Sequence, residues 1–270
     1  MSKFLLWLKR ISLCYLILLL LFVLFAGKLP LKDPLAINLM HALHPPSVNF
    51  LAGTDHLGRD IFSRLIFAGK STLVITVFAT VLSITIGVVM GIGAGFLGGV
   101  WRIIVDFCID LFWSLPFIVF VILIVAILGA SPIVLIFSIG GINWVTSARI
   151  IRDETASLKK QGFILAMQAF GFRNSKIAFV HLLTNLKPTI LSLSAYAAVE
   201  VLILESGLSF LGLSIPPPQP TWGGLLADGL SYFSSAWWMP IAPTIIIIIT
   251  IGSFHVLARY HEKAAINLNR

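Results

Sequence analysis

Long apolar runs separated by shorter polar segments dominate the pattern of this chain. Each run is close to the length of about 17 to 25 residues that a helix needs to cross a bilayer. The pattern therefore predicts an all-α polytopic membrane protein with six transmembrane helices, the last five of which form a core over residues 71–258. The predicted spans are residues 11–27, 72–96, 103–128, 131–148, 188–204 and 240–257.

The first run also has the features of a secretory signal peptide, because Lys3, Lys9 and Arg10 precede it. No clear small-residue cleavage site follows before Lys28. We therefore expect residues 11–27 to remain as an uncleaved first span.

The basic residues set the predicted orientation, since short loops rich in Lys and Arg stay on the cytoplasmic side. Most of the 19 Lys and Arg residues lie on one side of the predicted spans. This predicts that both termini are cytoplasmic. The predicted inner segments are residues 1–10, the turn at Arg102, the loop 149–187 and the tail 259–270, and the predicted outer segments are 28–70 and 205–238.

Composition supports this class of protein. The chain has 58% hydrophobic and 11% charged residues and a mean hydropathy of +1.00, too apolar for a soluble globule. The net charge of +8 lies in the loops, where it sets topology and does not indicate a nucleic-acid site. Cys14 and Cys108 fall inside apolar runs, so they predict neither a disulfide framework nor a metal cluster.

The loop 149–187 carries a short amphipathic segment. Phe163, Ala166, Met167 and Phe170 recur at i, i+3, i+4 and i+7, the spacing of one helix face, and Gly171 is a natural stop. A second helix is predicted to begin at an N-cap, Asn174. An apolar helix face on a basic loop needs a partner to bury it.

Small residues repeat at every fourth position along the second span. Gly87, Gly91 and Gly95 lie on one helix face, and such a face allows close helix packing in lipid. Two alternatives are open, packing within this chain and a seam with another subunit.

Carboxylates inside predicted spans are costly and mark functional sites. Asp106 and Asp110 lie one turn apart near the inner end of the third span; they are candidates for a translocation path, although a structural or gating role is the stronger expectation. They also raise the possibility of an intramembrane protease, but no aspartate motif in a later span completes a dyad. Glu200 lies deep in the fifth span and is the best residue for a translocation path. Pro116 is expected to kink the third span.

Two local patterns suggest ligands. Gly69, Lys70 and Ser71 resemble the end of a phosphate-binding loop, but Arg64 occupies the position of its first glycine. We therefore expect this chain to bind no nucleotide or other cofactor. His41, His44 and His56 lie in the outer segment 28–70 and are weak candidates for transition-metal ligands; no other metal site is predicted.

Three segments resemble the permeases of binding-protein-dependent ABC importers. Residues 163–171 read FILAMQAFG and resemble the coupling loop of that family, which has Glu-Ala-Ala where this chain has Leu165, Ala166 and Met167. The family also has Pro where this chain has Thr184. Residues 53–64 (GTDHLGRDIFSR) and 205–214 (ESGLSFLGLS) resemble the second, or C-type, permease subunit of the nickel, dipeptide and oligopeptide importers.

The resemblance implies a MetI-like fold, a location in a bacterial inner membrane and several partners. It implies a homologous second permease subunit, two ATP-hydrolysing subunits docked on the coupling loops, an extracytoplasmic solute-binding protein, and transport by alternating access. The chain would then be a pore-forming subunit and not itself an enzyme.

For the substrate, residues 55–64 and Leu165 resemble nickel-type members of the family. The sequence therefore favours nickel, cobalt or a metal chelate, with di- or oligopeptides as the alternative. A more distant alternative is an ATP-independent channel or secondary transporter, which the absence of an inverted repeat disfavours.

Overall fold

The computed structural model describes residues 3–114 and 116–268 of the chain, and its regular structure is helical. Short 3₁₀ turns at Ala26–Lys28 and Leu39–His41 interrupt the outer segment, and a π-helical segment, Ile177–Leu182, joins α8 to α9. The helices are α1 (Lys3–Leu24), α2 (Ile61–Leu97), α3 (Gly99–Trp113), α4 (Phe117–Leu128), α5 (Pro132–Ile142), α6 (Trp144–Leu158), α7 (Gly162–Ala169), α8 (Asn174–Lys176), α9 (Leu183–Phe210), α10 (Trp222–Leu230) and α11 (Trp238–Leu268).

The predicted all-α polytopic fold is confirmed. Within the described residues, five helical stretches are long and apolar enough to cross a membrane, and α3 with α4 makes a sixth if this bent pair is one span. The two helices of the pair meet at 83° around Pro116. A proline there lacks the N–H that a continuous helix needs, so the predicted kink is a full break between two helices. The other spans are Phe4–Leu24, Ile61–Leu97, Pro132–Leu158, Asn174–Phe210 and Trp238–Ala265.

Several helices continue through polar residues beyond the predicted spans. The helix of the second predicted span begins at Ile61, eleven residues before residue 72, since Asp60 caps it by accepting a hydrogen bond from the backbone N–H of Ser63 at 2.8 Å. The fourth span runs on to Leu158, and α11 extends through most of the predicted tail.

The helix of the fifth predicted span also begins before residue 188. The helix begins at Asn174, with Arg173 and not Asn174 in the N-cap position, and it continues through Pro188. The π-helical segment lies just before that proline. Side chains of the next turn donate to carbonyls there: Thr184 Oγ1 to Val180 at 2.6 Å and Asn185 Nδ2 to His181 at 2.7 Å. These bonds help satisfy backbone groups where the hydrogen-bond register changes.

The glycine face of α2 packs against α6. A Cβ atom placed on Gly87 would lie 2.8 Å from the Cβ of Ser147, and one on Gly95 would lie 2.7 Å from the Cβ of Thr155. At Gly91 the added atom would lie 2.7 Å from the carbonyl oxygen of Ala148. Only residues without a side chain allow the two backbones to come this close. In this structure the repeat therefore serves packing within the chain.

Polar contacts of charged side chains join α2, α3 and α6 at one end of the bundle. The guanidinium of Arg152 on α6 donates to the carboxylate of Asp106 on α3, and Arg102 lies 3.5 Å from the same carboxylate. Lys159 Nζ donates to the carbonyl of Phe96, in the last turn of α2, at 2.7 Å. A cation at a helix C-terminus complements the helix dipole.

The outer segment is folded around a buried carboxylate. Asp55 is buried, accepts a hydrogen bond from the backbone N–H of Arg59 at 3.0 Å, and is bonded to the guanidinium groups of Arg59 and Arg64. Burial by itself raises the pKa of Asp55, but the Arg59 N–H and the two positive charges outweigh it and lower that pKa below its ordinary value. The ionised carboxylate therefore holds this segment on the outer end of α2.

We expect Asp55→Asn to destabilise the protein by about 3 kcal/mol, because it leaves two buried guanidinium groups without their anion. Thermal unfolding of the detergent-solubilised protein measures the effect. Asp33→Asn, which changes an exposed carboxylate in the same segment, is the matched control. Equal unfolding temperatures for the two variants at pH 7 would contradict the assignment.

The pH dependence follows from the lowered pKa of Asp55. A carboxylate with a lowered pKa in the folded state contributes stability above its unfolded pKa, and this contribution is lost as the pH falls through the folded pKa. The difference in unfolding temperature between the native protein and Asp55→Asn is therefore expected to be constant near neutrality. It should narrow only when the pH falls below the ordinary carboxyl range.

The α2–α6 contact gives a second prediction. Gly91→Leu introduces a side chain where even a Cβ lies 2.9 Å from the Cβ of Ile151, and overpacking of this kind costs at least about 1–3 kcal/mol. We expect membrane insertion to persist while the solubilised protein unfolds at a lower temperature and assembles poorly. Gly252→Leu on α11, where nothing lies within 4 Å, is the control, and identical behaviour of the two variants would rule out the predicted packing role.

Candidate functional site

The short helix α7 lies at one end of the helix bundle and is anchored by one side chain. Ile164 is fully buried and belongs to an apolar cluster that includes Phe96, Ile151, Ile177 and Leu182. The predicted face omitted Ile164. The cluster joins α7 to α2, α6 and the π-helical segment, so the helix is packed onto the ends of the spans.

Most of the predicted face of α7 points away from that cluster. Phe163 and Ala166 are exposed, and Phe170 is 83% exposed. Met167 was predicted to share this face, but its side chain is half-buried and packs against the cluster, because it lies between the exposed and the buried sides of the helix. We name the exposed set Phe163, Ala166 and Phe170 the coupling face.

Gly171 ends α7 in the way predicted. Its φ of +76° lies in the left-handed region that favours glycine. Its N–H donates to the carbonyl of Gln168, and the N–H of Phe172 donates to that of Met167, both at 3.0 Å. This pair of bonds is a Schellman motif, which fixes the end of the helix beside Phe170.

A cavity of about 350 Å³ lies at two interruptions of the membrane helices. Trp113 and Phe117 line it from either side of the α3–α4 break, and Asn143 lines it from the junction of α5 with α6. Glu200 on α9 supplies its carboxylate, and its side chain is exposed. The structure thus places the predicted path residue at an opening in the bundle.

Asn143 contributes a second polar group to the cavity. Its backbone N–H still bonds to the carbonyl of Ile139 at 3.0 Å, so the junction keeps its helical hydrogen bond. The side-chain nitrogen Nδ2 is buried beside the Glu200 carboxylate, with which the Asn143 side chain interacts, but it makes no hydrogen bond of ordinary geometry among the described residues. Because a buried donor is costly when its hydrogen bond is incomplete, a further acceptor at this atom would be favourable.

Asp106 and Asp110, the two other acidic candidates for the path, do not line this cavity. Asp106 is held by the arginines of α3 and α6 described above, which gives it a structural environment. Asp110 is exposed one turn further along α3. The predicted set of acidic path residues is therefore not brought together.

Sequence reasoning missed Glu205, which it assigned to the outer loop. The residue lies inside α9 and is fully buried. Ser214 Oγ donates to its Oε1 at 3.4 Å, while Oε2 has no hydrogen-bond partner in the described part of the chain. The sequence contained a signal for this placement: apolar residues continue after Glu205, at Leu208 and Phe210, as they would if the helix extended past it.

The three predicted histidines do not form a metal site. His41 and His44 both pack against Phe50, with ring centroids 5.4 and 5.7 Å from it. His56 instead stacks on Tyr232 at 4.8 Å. Across residues 3–114 and 116–268, no group of three or more His, Cys, Asp or Glu side chains is placed to hold a metal ion.

Comparison with known proteins identifies the family. Residues 83–266 match the model of the binding-protein-dependent transport system inner membrane component. The chain is 33% identical over 250 residues to the oligopeptide transport system permease protein OppC of Bacillus subtilis (strain 168), covering 93% of this chain and 82% of that protein.

Two further relatives agree with this match. The chain is 34% identical over 214 residues to the dipeptide transport system permease protein DppC of the same Bacillus subtilis strain, covering 79% of this chain and 67% of that protein. It is 33% identical to the OppC protein of Haemophilus influenzae (strain ATCC 51907 / DSM 11121 / KW20 / Rd) over 224 residues, which cover 82% of this chain and 71% of that protein. With its helical fold and apolar spans, the chain therefore belongs to the inner membrane permeases of binding-protein-dependent ABC importers, in the oligopeptide, dipeptide and nickel family.

Proposed function

We propose that this permease imports di- or oligopeptides. The observation that carries the proposal is the similarity, at 33% and 34% identity, to proteins named as oligopeptide and dipeptide permeases. Nickel, which the sequence analysis favoured, has no support from those names, and of the three histidines that suggested a metal, His41 and His44 lie together while His56 stacks on Tyr232. Peptide import, the alternative in the sequence analysis, is therefore the better reading.

Within this proposal the chain is a pore subunit that uses its partners to hydrolyse ATP. It pairs with a homologous permease subunit, receives peptide from a solute-binding protein outside, and docks two ATPase subunits on the inner side. The basic loops support the corresponding orientation, with both termini and α7 in the cytoplasm. The chain itself binds no cofactor.

The packing of α7 supports a mechanism of alternating access. Closure of the ATPase subunits would move the coupling face, and the fully buried Ile164 would carry that movement into α6 and the π-helical segment. The π-helical segment continues directly into α9, which bears Glu200. Since packed helices move as rigid bodies, a displacement at α7 would reach the cavity through two helices.

Phe170→Asp tests the coupling face and the orientation together. Burying a large apolar side chain is worth about 1.5–3 kcal/mol, and a carboxylate in an apolar groove adds a desolvation cost. We expect the assembled importer to survive but to lose most of the rise in ATPase activity that loaded binding protein causes. Uptake should fall in parallel.

Phe170→Leu is the matched control, because it keeps an apolar side chain at the same position and should retain stimulated hydrolysis. If Phe170→Asp hydrolyses ATP as the native importer does, the coupling face lies on the membrane surface, as other amphipathic helices do, and the assignment fails.

Competitive uptake tests the substrate. We expect proteoliposomes containing the assembled importer and its binding protein to take up a radiolabelled tripeptide in the presence of ATP. Unlabelled dipeptides and tripeptides should compete, whereas Ni²⁺ and a chelator such as EDTA should have no effect. Uptake of radiolabelled nickel that peptides do not displace would instead restore the metal hypothesis.

A further inference from the structure

We infer that the cavity between the two helix breaks is a subsite for the free N-terminal end of the transported peptide, with Glu200 facing its ammonium group and Asn143 its first carbonyl oxygen. The inference rests on the peptide-import function proposed above and assigns residues of this chain to substrate recognition.

The first observation is the position of the site along the spans. Glu200 lies within α9, ten residues before the helix ends at Phe210. The cavity that it lines also receives Trp113 and Phe117 from either side of the α3–α4 break. Non-helical backbone within a membrane protein is tolerated where it is buried in protein or lines a wet cavity.

The second observation is the sign of the charge. Glu200 is the charged residue among those that line the cavity, and no salt bridge within the described residues includes it. Arg149 stacks on the ring of Trp113 at 4.7 Å but does not line the cavity. A carboxylate at membrane depth needs a cation or a proton. A positively charged ligand would supply that cation.

The third observation is the set of polar groups beside that carboxylate. The Asn143 side chain interacts with Glu200 and its buried Nδ2 makes no hydrogen bond of ordinary geometry within the described part of the chain, while Thr146 on the next turn of α6 exposes a hydroxyl to the same space. The N-terminal residue of a peptide offers an ammonium group and a carbonyl oxygen three bonds apart. A lysine side chain has the ammonium group without the carbonyl. A bare transition metal would require several His, Cys or carboxylate ligands, whereas one carboxylate lines the cavity.

The remaining walls suit substrates with varied side chains. Phe112, Trp113 and Phe117 provide aromatic surface near the carboxylate, and aromatic faces also attract cations. The volume of about 350 Å³ is at the low end of the roughly 300–1,000 Å³ typical of ligand sites. Such a cavity accommodates one end of a peptide and makes no contact with the side chains of its other residues.

A double-mutant cycle between protein and substrate tests the subsite. The importer, purified with its partner subunits, is reconstituted with saturating binding protein, and ATP-dependent uptake is measured for a tripeptide and for its N-acetylated form. Glu200→Gln should lower uptake of the free-amine peptide by roughly tenfold to a hundredfold, because hydrogen bonds to charged groups are the strong ones. Uptake of the acetylated peptide should change by less than about twofold, since the ammonium group is already absent.

The design separates recognition from other causes. The binding protein has the same preference between the two peptides in both experiments. This preference therefore cancels when the ratio of free-amine to acetylated uptake in the variant is divided by that ratio in the native importer. Glu200→Asp keeps the charge and should recover part of the lost uptake. Glu262→Gln, at an exposed carboxylate on the inner part of α11, should transport both peptides as the native protein does. Asn143→Leu should lower uptake of both peptides, because both retain the carbonyl oxygen.

Equal losses for the two peptides in Glu200→Gln would overturn the inference, since the carboxylate would then act on the conformational change or on a partner subunit. Unchanged uptake of both would overturn it as well. If the native importer takes up neither peptide while its ATPase still responds to binding protein, the peptide-import proposal fails and the inference fails with it.

Discussion

The backbone contact between α2 and α6 is the constraint on which both functional regions depend. It requires glycine at three successive turns of α2, because the added Cβ atoms would collide with the backbone or side chains of α6. The position of α6 in turn fixes Asn143 at its outer end and Ile151, which packs with Ile164 of α7, nearer its inner end. In a bilayer, where lipid is as apolar as the helices, such close packing is a main source of helix association.

The same arrangement connects α7 to the cavity. α7 packs through Ile164 on α6 and the π-helical segment, and α6 and α9 both reach the cavity. The break between α3 and α4 lies at the same cavity, while Asp106 keeps α3 attached to α6. Because Ile164 packs directly on these helices, movement of α7 is expected to shift the residues of α6 and α9 that line the cavity.

Much of this fold could be predicted from apolar run length, which is a strong signal for membrane helices. The helix ends could not be predicted in this way. An apolar run stops at the edge of the lipid, whereas a helix stops where its backbone hydrogen bonds stop. Arg152 and Asp153 are helical residues in water, and Asp60 extends α2 by capping it. The coupling segment was found from the helical spacing of its apolar residues. Ile164 was missed because this short helix has apolar residues on both faces, and spacing alone does not tell which face is buried.

Glu200 and Glu205 show why the candidate site was only half predictable. Both are single carboxylates in one apolar helix, and the sequence offers no cation at helical spacing for either. Five residues at 100° each rotate the second side chain by about 140° from the first. Glu200 consequently faces the cavity, whereas Glu205 points into the bundle beside Ser214. Glu205 is enclosed beside a neutral hydroxyl, whereas Glu200 lies with Asn143 in a cavity that is open to a ligand. The difference arises from the neighbouring helices, which a reading of one span does not contain.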